Sequence, residues 1–307
     1  MRYRFANTTD LAECVALLPA AFKAAARVRL RLPEIWAVLI GVNPANVVVF
    51  EESGRLEGCA IAAHVNDAFV DEYLAAPEPY LSALVYARIL AGPSPLLRPA
   101  ELRAANSSTG LNLAVLHFGL VDHDLLAERS RAVLRAANQA FYFFNMGYRY
   151  NLFLNEVYGR QAADYMLGGG FRLLREFEHA DSTADRPYLF GLRKEWILPG
   201  AINQMSFLFD PSPPRLGFTP GEQRVLIRAM LTESDAQIAV HLGVSLDSVK
   251  KTWRRVFERA AHAAPELFAS VGGTGKRNSG QSRGLEKRRH LLDHLRSHLE
   301  ELRPHEK

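Results

Sequence analysis

Four basic side chains lie close together in the stretch 245–258, SLDSVKKTWRRVFE. They are Lys250, Lys251, Arg254 and Arg255, and side chains of these two types bind phosphate oxygens and guanine edges. The same run is also compatible with an ordinary solvated helix face, because Lys and Arg are mostly exposed in folded proteins. Deciding between these uses requires knowing which elements hold the stretch and which of its sides is buried.

Apolar spacing indicates that this stretch is a helix with one buried side. Val249, Trp253, Val256 and Ala260 recur at helical intervals, and Ser245 is suited to cap the first turn. The basic residues then fall on the exposed side. We predict that this side and two capped helix starts contact DNA through Ser234, Ser245, Asp247, Ser248, Lys250, Lys251, Arg254 and Arg255.

Two shorter helices are predicted before this one. Thr219 precedes Pro220, with Glu222 placed for a capping box, and Ser234 opens a second helix. Gly243 supplies the tight turn into the third helix. Two helices joined by a short turn, the second basic on its exposed face, form a helix-turn-helix. A three-helix packing module, or one that contacts only protein or RNA, stays an alternative.

The stretch 218–260, FTPGEQRVLIRAMLTESDAQIAVHLGVSLDSVKKTWRRVFERA, resembles the LuxR-type helix-turn-helix of bacterial transcription regulators. The matching residues are Thr219, Glu222, Val225, Leu226, Ser234, Ile238, Ala239, Leu242, Ser245, Val249 and Lys250. This resemblance implies that Lys250 and its neighbours contact DNA. Thr232 departs from it by replacing a usual Gly, Arg224 a usual Glu, and Thr252 a common His or Asn.

Charge is distributed unevenly along the 307 residues, whose formal net charge is +4. Residues 211–307 hold 17 Lys and Arg against 11 Asp and Glu, whereas residues 1–210 hold 20 against 22. A basic C-terminal third indicates a polyanionic partner for that third alone. No apolar run is long enough to span a membrane, and the N-terminus does not read as a signal peptide. With two cysteines, we expect a bacterial cytoplasmic protein that is nucleoid-associated when bound to DNA.

The first 198 residues alternate between predicted strands and helices. Residues 111–122, LNLAVLHFGLVD, form the strongest strand, and a long helix follows over about 124–146. We therefore predict an α/β domain with a mixed sheet, followed by an all-α helix-turn-helix domain and a C-terminal amphipathic helix.

This order resembles the GNAT fold of N-acetyltransferases, most specifically in NEVYGRQAADYMLGGGF (155–171). The resemblance implies an acetyl-CoA diphosphate held by bare amides and glycines where a strand meets a helix. The corresponding stretch here, LVDHDLLAERSRAVLR (120–135), has no Gly and carries Asp122 and Asp124 instead. Carboxylates there stabilise the helix but repel phosphate. We therefore expect no bound cofactor and a domain that is not an enzyme.

Candidate catalytic residues in this domain are few. Tyr165 falls where the resemblance implies a general acid, but it is also a reasonable packed tyrosine. His64, His117, His123 and His179 show no metal-ligand spacing, so neither catalytic nor metal-binding residues are predicted. The expected function is a DNA-binding transcription regulator whose GNAT-like domain senses an unknown small-molecule or protein effector. The alternative is an acetyl-CoA-dependent N-acetyltransferase with an appended DNA-targeting helix-turn-helix.

The predicted domain plan has five segments. They are a GNAT-like domain (1–198), a linker (199–217), the helix-turn-helix domain (218–268), a flexible basic tether (269–284) and an amphipathic helix (285–303). In the last segment a heptad seam is formed by Leu285, Leu292, Leu295, Leu299 and Leu302. This seam predicts either a homodimer that reads two DNA half-sites or docking of the helix onto the same chain.

Overall fold

The structure is a computed structural model that describes residues 1–19, 21–122, 124–178, 186–197, 205–209, 211–272 and 280–306. The chain divides into two compact units. The first comprises residues 1–145 and 149–210, and the second comprises 146–148 and 211–307. His123 and His179, most of the predicted linker and residues 273–279 of the predicted tether lie outside the described residues.

The first unit alternates strands with helices, as the sequence predicts. Its strands are β1 (Arg2–Phe5), β2 (Val47–Glu52), β3 (Arg55–Val65), β4 (Leu111–Leu120), β5 (Tyr150–Tyr158), β6 (Arg172–Glu176) and β7 (Pro187–Leu192). Its helices are α1 (Leu11–Ala16), α2 (Ala26–Arg29), α3 (Leu32–Val42), α4 (Asp67–Ala75), α5 (Leu81–Ala91), α6 (Pro99–Ser107), α7 (Glu128–Asn145) and α8 (Arg160–Gly168). Residues 66–109 form three helices, of which α5 agrees with a helix that the sequence predicts at about 80–90.

Within the described residues, the strands form one seven-stranded sheet in the order β1-β2-β3-β4-β5-β7-β6. Neighbouring strands are antiparallel except for β4 and β5, which are parallel. A parallel pair needs a crossover connection, and α7 supplies it. The predicted mixed α/β sheet is confirmed.

Helices cover both faces of this sheet, which explains its apolar strands. Gly58 and Cys59 are adjacent in β3 and therefore face opposite sides. A Cβ at Gly58 would come within 2.9 Å of Val133 in α7. Cys59 instead faces α1, where its thiol lies 3.9 Å from the carbonyl oxygen of Cys14. The face toward α1 carries the main core cluster, to which α3 contributes the fully buried Trp36.

The second unit is helical. It contains α9 (Pro220–Met230), α10 (Asp235–Leu242), α11 (Leu246–Ala263) and α12 (Gly280–Ser297), with short 3₁₀ segments at Pro265–Gly272 and Leu299–Leu302. Predicted caps form at three helix starts. Thr219 Oγ1 accepts a bond from the Glu222 amide, Ser234 caps α10 and Ser245 caps α11. α12 begins at Gly280, within the range assigned to the tether.

The C-terminal leucines pack within the second unit. Leu291, Leu295, Leu299 and Leu302 are each at most 5% exposed, whereas Leu285 is 70% exposed. The buried set therefore differs from the predicted heptad seam at its N-terminal end. These side chains are covered by α9 and its neighbours in the same chain, and pairing of two chains stays a prediction. No helix in the described part of the chain has the length and apolar character needed to cross a membrane.

Candidate functional site

The pairing between strands β4 and β5 ends about halfway along each strand. Their parallel pairing runs from Leu111↔Tyr150 to Val115↔Asn155, although β4 continues to Leu120 and β5 to Tyr158. Beyond Asn155, β5 pairs with β7 on its other edge. β4 also carries an extra residue at this point, because Val115 pairs with Ala62 whereas His117 pairs with Ile61. The two strands are therefore not paired with each other beyond Val115 and Asn155.

Glu156 lies on β5 just past the last paired residue. Its Oε2 accepts hydrogen bonds from the amides of Tyr80, at 2.8 Å, and Leu81, at 3.3 Å. Its Oε1 accepts from the Tyr158 hydroxyl at 2.8 Å. Burial raises the pKa of the Glu156 carboxyl from 4.5 to about 7, although these bonds favour the charged form. A carboxyl with this pKa exchanges a proton near neutral pH.

Tyr80, which donates its amide to Glu156, has a strained backbone. Its φ of +70° and ψ of +50° are left-handed, a conformation that bulky residues rarely adopt. The surrounding contacts hold it there, since its ring stacks on Tyr158 with centroids 6.3 Å apart and planes inclined by 22°. Residues under such strain concentrate at functional sites. Glu156, Tyr80 and Tyr158 are called the Glu156 site below.

A second polar group, the His117 imidazole, packs against Trp36 of the main core cluster. His117 of β4 has its ring centroid 6.2 Å from that of Trp36, and Trp36 lies 6.5 Å from Tyr86 of α5. Burial lowers the pKa of His117 to about 4, so the imidazole is neutral. Trp36 Nε1, Tyr86 Oη and His117 Nε2 are buried and have no hydrogen-bond partner among the described residues.

The other sequence-derived candidates lie outside the Glu156 site. Tyr165 is 46% exposed, and its hydroxyl contacts the Asn138 side chain. His64 is buried beside Tyr150, with Nε2 3.4 Å from the tyrosine hydroxyl. Within the described residues, His, Cys, Asp and Glu side chains form no group of three or more placed to hold a metal ion.

At the start of α7, the two aspartates occupy backbone amides. Asp122 Oδ1 accepts from the Asp124 amide at 3.0 Å, and Asp124 Oδ1 accepts from the Leu126 amide at 2.9 Å. These two amides lie two to four residues before α7 begins, within the stretch that the resemblance assigns to a diphosphate.

The second unit holds α11 with one side buried. Val249, Trp253, Val256 and Ala260 are each at most 5% exposed. The predicted DNA-contacting residues on α11 all lie on its exposed surface: Asp247, Ser248, Lys250, Lys251, Arg254 and Arg255. Ser234 and Ser245 are exposed too, and each hydroxyl accepts a bond from an amide of the helix it caps.

An internal clamp ties three helices of this unit together. Asp235 Oδ1, in the first turn of α10, accepts from Trp253 Nε1 at 3.1 Å and from Arg288 Nη1 at 2.8 Å. The Arg288 guanidinium also lies 4.3 Å from the centroid of a Trp253 ring. α10, α11 and α12 are therefore joined through one carboxylate.

Several solved structures are similar to this chain over 62% to 63% of its length. A GphF GNAT-like decarboxylase in complex with isobutyryl-CoA is 16% identical, with a TM-score of 0.39, and the match covers 63% of this chain and 99% of that one. The loading GNATL domain of CurA from Lyngbya majuscula is 9% identical, with a TM-score of 0.40 and coverage of 62% and 96%. A GNAT-family acetyltransferase from Bacillus cereus is 9% identical, with a TM-score of 0.32 and the same coverage.

No family model and no curated protein matches the chain. The strand order, with its single parallel pair, agrees with the resemblance found in the sequence, and the fold of the first unit is GNAT-like. The expectation that this chain is not an enzyme is contradicted, because structures of this fold include acetyltransferases and a decarboxylase, some bound to CoA or acyl-CoA. We withdraw that expectation.

Glu156 is not among the candidate residues that the sequence patterns indicate. The available signal was that Glu156 is the single charged residue of the strand YNLFLNEVY. Its hydrogen-bond partners Tyr80 and Leu81 precede it in the sequence by 76 and 75 residues. Sequence spacing therefore does not show that the carboxylate is buried against the start of α5.

Proposed function

We propose that the first unit is an acyltransferase that passes an acyl group from acyl-CoA to an amine. The observation that carries this proposal is the Glu156 carboxyl, placed where β4 and β5 separate and having a pKa of about 7. General-base catalysis works best when the base has a pKa near the operating pH. The GNAT-like strand order supports the same reading.

The transfer follows from proton positions at the Glu156 site. An amine arrives as an ammonium ion, and Glu156 takes one proton to free the nitrogen lone pair. The nitrogen attacks the thioester carbonyl carbon, the C–S bond breaks, and the leaving thiolate receives the second proton released by nitrogen. Tyr158 donates to Glu156 Oε1, which orients the carboxylate and lowers its pKa.

The start of α7 restricts how the donor binds. Asp122 and Asp124 already hold the amides of Asp124 and Leu126, and their charge repels phosphate. We therefore infer that the CoA diphosphate lies away from these amides, or displaces the carboxylates at a cost in affinity.

Release of free CoA thiol from acetyl-CoA, measured with a panel of primary amines, tests this function. We expect kcat/KM to rise with pH through about 7, the pKa of Glu156. Glu156→Gln should lower kcat by about 100-fold with acetyl-CoA binding retained in calorimetry. Asp164→Asn on the exposed side of α8 is the matched control. Failure of millimolar acetyl-CoA to bind at all would rule the function out.

Tyr158→Phe separates catalysis from folding. This variant keeps the carboxylate but removes a hydrogen bond that lowers its pKa. The rise of kcat/KM should therefore move to higher pH, a shift that a purely structural role of Glu156 would not produce. An unchanged pH profile contradicts the assignment of Glu156 as the base.

We infer, as a second function, that the second unit is a LuxR-type helix-turn-helix that binds duplex DNA through α11. The supporting observation is that α11 buries Val249, Trp253 and Val256 while its basic side chains are exposed. In a helix-turn-helix such a helix enters the major groove and its neighbours contact phosphates. The chain would then regulate transcription at its binding sites, with the acyl-CoA or the amine as effector.

Fluorescence anisotropy with a labelled duplex over a salt series tests DNA binding. Lys250→Ala and Arg254→Ala should each weaken binding of the duplex. Each should also lower the slope of log K against log[salt] by about 1, because each removes one positive charge that neutralises a phosphate. Arg224→Ala, an exposed cation on α9, is the control and should have a smaller effect. If both α11 variants bind as the parent does, the interface lies elsewhere.

A homodimer that reads two half-sites is part of the same proposal. Light scattering with and without duplex DNA measures the number of chains. A monomer at every concentration and on DNA would rule this out.

A further inference from the structure

The outward side of α11 includes carboxylates as well as basic groups. Asp247, Lys251, Arg254 and Glu258 lie opposite the buried stripe that contains Trp253, and all four are exposed. We call these four residues the outer face of α11. Asp247 is at its N-terminal end, the end that contacts base edges in a helix-turn-helix, and Glu258 is three turns further on.

Asp247 is held in place as an anion. Its Oδ2 is 2.8 Å from Lys251 Nζ, one turn away, and both side chains remain largely exposed, at 70% and 63%. The Lys251 hydrogen bond and charge lower the pKa of Asp247, and Lys250 and Arg254 act in the same direction. The carboxylate is therefore charged at any pH at which the protein would bind DNA.

A fixed negative charge on a DNA-facing helix has few favourable neighbours. Phosphates repel it, and guanine and thymine present acceptor atoms in the major groove that repel it too. Adenine presents an N6 amino donor beside its N7 acceptor, whereas cytosine presents only its N4 amino group, which donates hydrogen bonds to Asp or Glu. The O6 and N7 atoms of guanine accept hydrogen bonds from a lysine such as Lys251, which lies one turn further along α11.

If Asp247 only stabilised α11, its removal would change the stability of the protein and not its preference among DNA sequences. An acidic residue in the first helical turn stabilises the helix through the helix dipole, and an exposed ion pair adds little to stability. Such a residue contributes to folding but does not change the preference among DNA sequences. The two uses are therefore distinguished by specificity and not by affinity alone.

We propose that Asp247 determines DNA sequence specificity by selecting cytosine at one position of the site, with Lys251 bound to a neighbouring guanine. This inference rests on the proposed binding of DNA by the second unit. It predicts opposite effects on specific and non-specific binding. Removing the carboxylate should relax the preference for cytosine and, by removing a repulsive charge, strengthen binding to arbitrary duplexes.

Selection of bound fragments from a random duplex pool, carried out on the full chain, tests the proposal. The parent should prefer cytosine at one position by about tenfold. Asp247→Ala should lose that preference and bind mixed-sequence DNA at least as tightly as the parent. Asp247→Asn should shift the preference toward adenine, because Asn pairs with adenine N6 and N7.

Glu258→Ala is the matched control, since it removes the same charge from the same outer face away from the N-terminal turn. It should raise affinity for all sequences and leave the base preference unchanged. The proposal is overturned if Asp247→Ala keeps the full preference of the parent, or if it weakens binding to every sequence equally. If the parent shows no salt-dependent binding to any duplex, the proposed DNA-binding function itself fails, an outcome distinct from both.

Discussion

The backbone amide of Tyr80 donates to the Glu156 carboxylate at 2.8 Å. This bond joins the start of α5 to the part of β5 that is not paired with β4. A carboxylate at a helix start is stabilised by the helix dipole. Here desolvation outweighs that effect and raises the pKa of Glu156 to about 7. The same side chain thus anchors a helix and exchanges a proton near neutral pH.

Glu156 should make the first unit less stable as pH rises. Its pKa is raised from 4.5 to about 7 on folding, so its contribution is complete below pH 4.5 and is lost as pH rises through 7. The difference corresponds to about 3 kcal/mol. Glu156→Gln should flatten this dependence, measured by urea unfolding at pH 4.5 and pH 8 in a Trp253→Phe background that leaves tryptophan fluorescence in the first unit. Equal pH dependence in parent and variant would contradict the raised pKa.

Thr232 should be a point of stored strain. It follows α9 with a φ of +65°, and its amide and that of Glu233 bond back to Ala229 and Arg228 in a helix-ending motif that favours glycine. A left-handed conformation costs a non-glycine residue about 1–2 kcal/mol, and the flexibility of glycine in the unfolded chain offsets part of this. Thr232→Gly should therefore raise the free energy of unfolding by about 1 kcal/mol.

Gly243 provides the matched comparison for that substitution. It ends α10 with a φ of +63°, and a Cβ added there meets no atom within 4 Å. Gly243→Ala should therefore destabilise the unit by about 1 kcal/mol through backbone conformation alone. Native-state hydrogen exchange of the amides of α9, α10 and α11 measures the stability of the second unit separately and compares both variants with the parent. A destabilised Thr232→Gly protein would show that the threonine side chain has a role of its own.

Asp235 and Arg288 should be energetically coupled. Their 2.8 Å ion pair is about three-quarters buried on each side and shares its carboxylate with the Trp253 indole. A double-mutant cycle with Asp235→Ala and Arg288→Ala should give a coupling energy of about 1 kcal/mol, more than an exposed pair provides. The Asp247–Lys251 pair is the exposed comparison and should give less than half of that. Coupling no larger than that of the exposed pair would mean that the clamp adds nothing to stability.

The aspartates at the start of α7 should weaken CoA binding. Replacing both Asp122 and Asp124 with Gly frees the two amides and removes two charges. Each nearby charge is worth about 1 kcal/mol, so the double variant should bind CoA at least tenfold more tightly by calorimetry. Asp164→Asn should leave CoA affinity unchanged. An unaltered affinity in the double variant would place the diphosphate far from this loop.

The sequence by itself determined the elements whose cause is local. Caps at Thr219, Ser234 and Ser245 formed where residue type and spacing predict them, because each cap bonds to an amide three residues away. The buried and exposed sides of α11 follow from helical periodicity in the same way. Strand and helix alternation likewise sufficed for the mixed α/β architecture of the first unit.

Tertiary structure decided what depends on distant parts of the chain. In the sequence, Glu156 is an ordinary polar residue of a strand. In the folded chain the start of α5 covers it, and the amides of Tyr80 and Leu81 donate to its carboxylate. Its pKa follows from that desolvation, which depends on packing and not on neighbours in sequence. Arg288 likewise interrupts a predicted heptad seam, yet packing places it on Trp253. Contacts between distant residues therefore produced the Glu156 site and the contact of Arg288 with Trp253, whereas local periodicity produced the helix caps and the buried and exposed sides of α11.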